Sequence, residues 1–117
     1  MEKGWNKMAI EDAIIVHKTE IVFCDKSDKS REKHYRITPE DIVKVRFDYS
    51  IHKPFFGLKK ELEERLVIYT NNPDMPEELE VLEHNEPNFR RFRGGLRSFI
   101  DDNKVPLEIY DVEGKLQ

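Results

Sequence analysis

The sequence predicts an α+β domain, mainly β, and three observations carry that prediction. Residues Val43–Ile51 alternate apolar and polar without a break. Runs rich in β-branched and aromatic residues lie on either side of them. One strongly amphipathic stretch of helical period, Asn85–Asn103, comes only after these runs. Strands in succession followed by one helix give a sheet on which the helix is laid last. About seven strands of this length must curl or close to protect their edges. The expected architecture is a strongly bent antiparallel sheet, or a partly open barrel, of about seven strands capped by one C-terminal amphipathic helix. An open antiparallel sheet with one helix on one face is the rival. A helix over Leu58–Leu66 would replace both with a two-helix sandwich.

The elements follow in order. Residues 1–11, with Trp5, Met8 and Ile10, form an arm or a short first strand. Ala13–His17 and Ile21–Asp25 are apolar and β-branched around Lys18-Thr19-Glu20, which predicts a hairpin. Asp25–His34 is polar throughout and reads as a long turn. Tyr35–Thr38 resumes an alternating pattern, and Pro39-Glu40-Asp41 interrupts it. In the clearest strand, Val43, Val45, Phe47, Tyr49 and Ile51 face a core, while Lys44, Arg46, Asp48, Ser50 and His52 face water. Phe55, Phe56 and Leu58 around Gly57 make a short strand or a buried loop. Lys59–Glu64 reads as a charged turn, Arg65–Thr70 as a strand, Asn71–Pro76 as a turn and Glu78–Leu82 as a strand. The helix is capped by Asn85 or Asn88, with Pro87 near its first turn. Phe89, Phe92, Leu96, Phe99 and Ile100 make one apolar stripe. Gly94 and Gly95 lie inside it, and each costs roughly 1 kcal/mol relative to alanine, so helix propensity does not explain them. Asp101-Asp102-Asn103 and Val105-Pro106 stop the helix. Leu107–Val112 is a last short strand or a packed tail.

At 117 residues the chain is most simply one domain, with its core at about 10–103 and a terminal piece at 104–117. Twenty basic and 24 acidic residues are interspersed and give a net charge of −4, which argues against nonspecific nucleic-acid binding. The single Cys24 excludes an internal disulfide and disfavours a cysteine metal site. No apolar run is long enough to span a bilayer. Met1–Ile10 contains no apolar core of a signal peptide, so a cytoplasmic location is the default expectation.

The strand Val43–Ile51, then RLVIYT (Arg65–Thr70), then ELEVLEHNEPNFRRFRGGLRSFI (Glu78–Ile100) resemble in their order the pleckstrin-homology-like superfold. The resemblance is to its small bacterial PH-like and GRAM-like domains in particular. It covers roughly residues 10–103 and is one of topology, with no diagnostic motif. It implies a bent seven-stranded barrel closed by a C-terminal helix, and a noncatalytic module whose loops and sheet face bind peptides, proteins or lipids. The chain departs from the pattern in adding Leu107–Val112 after the helix.

Few residues point to chemistry. His17, His34, His52 and His84 show no metal-ligand spacing, so no metal is expected. Cys24 has His17 as a candidate cross-strand base but reads better as a small buried hydrophobe. The acid pairs Glu11-Asp12, Glu63-Glu64, Glu77-Glu78 and Asp101-Asp102 read as solvated charge, because strand neighbours point to opposite faces. No phosphate loop is present, no cofactor is expected, and the chain is not expected to be an enzyme. The candidate binding residues are Lys26, Lys29, Arg31, Lys33 and Arg36, in one loop whose position and charge are similar to the phosphoinositide-binding loop of eukaryotic PH domains. Arg90, Arg93 and Arg97 on one flank of the helix stripe are a secondary set, suited to phosphate or carboxylate or to flanking a core. Lys53–Lys60 (KPFFGLKK) is a membrane-interface or core segment. The leading expectation is a binding module whose partner is a protein or peptide, including a second copy paired through a sheet edge. Anionic lipid or phosphate at the basic loop is the alternative, and no nucleic acid is expected.

Overall fold

The computed structural model describes residues 7–9, 14–24, 34–52 and 61–117. Their eight strands fall into two sheets, neither of them closed. The larger contains β1 (Lys7–Ala9), β5 (Ile42–His52), β6 (Glu61–Thr70), β7 (Glu78–Leu82) and β8 (Leu107–Ile109), in the order β1-β7-β6-β5-β8. The smaller is the antiparallel meander β2 (Ile14–Val16), β3 (Ile21–Cys24) and β4 (His34–Ile37). The single α-helix among the described residues, α1 (Phe89–Asn103), follows β7 after a short 3-10 turn at Glu83–Asn85. A mainly β architecture with one late helix is therefore present. No helix among the described residues is long and apolar enough to cross a membrane.

β5, β6 and β7 pair antiparallel, but both terminal strands join in parallel, β1 along β7 and β8 along β5. Leu107–Ile109 is thus a strand of the chain's own sheet. Its outer edge is met by the returning C-terminus, where the Gln117 N–H donates to the Ile109 carbonyl at 2.7 Å and Tyr110 bridges Leu116.

The core is one cluster shared by both sheets and the helix. Ile21 and Ile37 from the small sheet meet Val45, Leu66, Ile68, Leu79 and Val81 from the large one, under Phe89, Phe92, Leu96, Phe99 and Ile100. The helix stripe is buried at all five predicted positions. Asn88 is the N-cap residue, and Pro87 stands just before it. The helix ends at Lys104, which takes the left-handed conformation (φ 54°) usual for glycine there. The Asn103 side-chain amide ties that end to the Lys18 carbonyl of the β2–β3 turn at 2.9 Å.

Three boundaries depart from the sequence reading. β6 begins at Glu61, so Glu61–Glu64 is strand rather than charged turn. Pairing with β5 from Ser50↔Glu63 to His52↔Glu61 supplies hydrogen bonds that override the low strand propensity of these residues. A bulge between Ile42 and Lys44 turns Val43 outward, 49% exposed, and puts Ile42 in the core instead. Cys24 stands opposite His34 in the register of β3 and β4, not opposite His17. Of the predicted turn Asp25–His34, His34 is instead the first residue of β4, and residues 25–33, like the segment 53–60, lie outside the described residues.

Candidate functional site

β5 and β6 form a long two-stranded ribbon, and α1 covers only part of it. On the helix side the paired rows Val45/Ile68 and Phe47/Leu66 lie in or against the core. The next rows are Tyr49/Glu64, which reaches the helix through the Arg93–Glu64 ion pair, and Ile51/Leu62. Ile51 and Leu62 are 61% and 56% exposed, so of the five predicted apolar positions of β5 only Val45 and Phe47 lie in or against the core.

Where the helix leaves the ribbon there is a cleft of about 390 Å³. Its apolar walls include Phe47, Leu66 and Ile109, and Tyr49 adds aromatic surface. Its cationic wall is the helix flank Arg93 and Arg97. Two of the three secondary candidates are thus brought together, whereas Arg90 is exposed and lines no part of the cleft. Arg93 forms an ion pair with Glu64 across the cleft. Arg97 is held only loosely, its Nε 3.5 Å from Asp101 one turn along the helix. Its terminal amino groups make no hydrogen bond among the described residues.

The two glycines now have separate accounts. A Cβ on Gly95 would sit 3.5 Å from the Val16 Cβ, so α1 lies close on β2 there and only a larger side chain would be excluded. A Cβ on Gly94 would meet nothing within 4 Å, and Gly94 lines the cleft. The helix carries a residue unfavourable by roughly 1 kcal/mol where packing does not require it. Gly94→Ala is accordingly expected to stabilise the fold by about 0.5–1 kcal/mol, read from the urea midpoint.

The other face of the large sheet is a charged network. The Arg65 guanidinium grips Asp48 with two bonds of 2.6 and 2.8 Å and reaches Glu80 at 3.0 Å. The Asp48 hydrogen bonds, opposed by burial, raise the pKa of Arg65 further. Arg46 lies 3.4 Å from Asp48 and 4.1 Å above the Tyr110 ring. Lys44 pairs with Glu108 at 3.2 Å.

At the far end of this face the alternation of β6 separates the two acids predicted to be plain solvated charge. Glu64 points to the cleft, whereas Glu63 is 7% exposed and faces two histidines. His84, on the 3-10 turn after β7, lies with Nδ1 2.8 and 2.7 Å from the two Glu63 carboxylate oxygens, and its backbone N–H donates to the same carboxylate at 3.1 Å. A carboxylate only accepts, so Nδ1 bears the proton. His52, the last residue of β5, stacks on His84 with ring centres 3.9 Å apart. No local spacing announced this group, because its members meet only through the β5–β6 register and the turn after β7.

The predicted binding loop is represented by Arg36, which is held by the Glu20 carboxylate at 3.0 and 3.1 Å. Lys26, Lys29, Arg31 and Lys33 lie outside the described residues. Fold and site together define a mainly β domain with an aromatic and cationic cleft beside its one helix. No protein-family model matches the chain, and neither a curated protein nor a solved structure matches it.

Proposed function

We propose that this chain is a noncatalytic binding module that holds a small organic acid with an apolar or aromatic body in the cleft between α1 and β5–β6. The observation that carries the reading is Gly94, which leaves cleft space beside Arg97 that none of the described residues fills. Small-molecule sites are concave, mainly apolar and equipped with few polar groups. Here Tyr49, Phe47 and Ile109 supply the apolar walls, and Arg97 supplies a fork that fits a carboxylate. The late helix laid on a mainly antiparallel sheet supports a PH-like reading of the module, and β8 is an addition to that pattern. Partner recruitment at the β8 edge is less favoured, since the C-terminal residues already meet it.

The test is isothermal titration with 2-naphthoate and with its uncharged amide. The acid is expected to bind at least about tenfold more tightly, a difference that one charge-assisted bidentate contact readily supplies. Arg97→Ala is expected to remove that preference, and Gly94→Leu to block both compounds. Equal binding of acid and amide, or no binding of either, overturns the reading. Sedimentation with anionic vesicles at low salt, unchanged by Arg97→Ala, moves the function to the 26–36 loop.

A further inference from the structure

We propose that His52, Glu63 and His84 form a binding site for a first-row transition-metal dication, with Zn²⁺ the natural probe. This inference does not rest on the cleft, which lies on the opposite face of the β5–β6 ribbon. Each of the three residues offers one donor atom, and all three atoms lie within 4.8 Å of one another. Two imidazoles and one carboxylate are a nitrogen-rich set that suits zinc and its neighbours rather than calcium or magnesium.

The charge of Glu63 gives the site its rationale. The side chain is 8% exposed, yet no lysine or arginine pairs with it among the described residues. Its partners are the His84 ring and backbone N–H, and the Ser50 hydroxyl at 3.5 Å. A nearly buried carboxylate whose partners are one imidazole, one hydroxyl and one backbone N–H is stabilised by an arriving dication. Elsewhere on this face Asp48 and Glu80 are matched by Arg65.

The geometry needs a small adjustment. Donors about 2.0–2.1 Å from Zn²⁺ at tetrahedral angles lie roughly 3.4 Å apart. The closest pair here, His84 Nδ1 and Glu63, is 2.7 Å apart, a distance set by the proton between them. Zinc takes the Nδ1 lone pair while the neutral ring carries its one proton on Nε2, and the His84 ring moves out by under an ångström. Its place on a short turn, with a side chain 35% exposed, permits this. His52 swings at the end of its strand, tilting out of a stack whose planes already differ by 19°. Three protein ligands leave one position for solvent or an outside donor.

The experiment is titration of the chelator-treated full chain with Zn²⁺ by calorimetry, alongside thermal unfolding. One Zn²⁺ per chain is expected, with the melting temperature up by roughly 10 °C at a hundredfold excess over the Kd. Co²⁺ in place of zinc is expected to show the visible bands of a low-symmetry site. His52→Ala, His84→Ala and Glu63→Gln are each expected to weaken binding by about 100-fold or more. Because Glu63→Gln changes a buried group, the more exposed histidines decide the matter, with circular dichroism confirming that both variants fold. Absence of saturable binding overturns the proposal, as does binding that both histidine variants retain at full strength.

Discussion

Phe99→Ala is expected to destabilise the protein by about 4 kcal/mol, measured as a fall in the urea midpoint followed by circular dichroism. Phe99 is 1% exposed and belongs to the cluster in which the two sheets meet the helix. Truncation removes the transfer free energy of the ring and leaves a cavity that neighbours held by two separate sheets cannot readily close. A domain of this size has on the order of 5–15 kcal/mol of stability, so the variant is expected to sit near its unfolding threshold at 37 °C. Phe99→Leu keeps most of the volume and is expected to lose only about 1 kcal/mol. Similar losses for the two variants would show that the ring is not packed as described.

Arg65→Ala is expected to cost about 3 kcal/mol, although Arg65 lies outside the apolar core. Its side chain is 24% exposed, and those of Asp48 and Glu80 are each 10% exposed. Removing the guanidinium leaves Asp48 with Arg46 at 3.4 Å and takes from Glu80 a bond of 3.0 Å. Loss of one partner in a nearly buried pair costs far more than the pair's net contribution, because the remaining charge stays desolvated. Arg65→Lys keeps the charge but not the two-pronged grip, and is expected to recover about half of the loss. Adding Asp48→Asn to Arg65→Ala is expected to recover part of it too, since the carboxylate left with Arg46 alone is then gone. If the double variant is as unstable as the sum of the singles, the network is not coupled in this way.

How much of this was legible in the sequence can be judged residue by residue. The helix stripe Phe89, Phe92, Leu96, Phe99 and Ile100 was readable because its period is a property of the helix itself. The alternation of Val43–Ile51 was readable for the same kind of reason, but its burial was not. A bulge at its start exchanges Val43 for Ile42, and the limited reach of α1 strands Ile51 in solvent. Neither event leaves a local mark. The beginning of β6 was missed because Glu61–Glu64 has the composition of a turn, and only the partner strand makes it extended. The His52, Glu63 and His84 group was invisible for a stronger reason. Its members come from two strands and a turn, and nothing in their spacing predicts that an isolated histidine will meet a buried acid. In the cleft, the sequence supplied the residues, Gly94, Arg93 and Arg97, but not the space between them.

The two parallel pairings at the margins of the large sheet bear on how the protein is made. β5, β6 and β7 are contiguous and can zip together as they emerge from the ribosome. β5 nevertheless waits for its outer neighbour, because Val45 and Leu107 are about sixty positions apart. Until then one long margin of the ribbon presents unpaired peptide groups to the crowded cell. The nascent protein is therefore most prone to mispairing with its siblings during that interval, and the docking of residues 107–109 closes the Val45–Phe47 stretch of that margin.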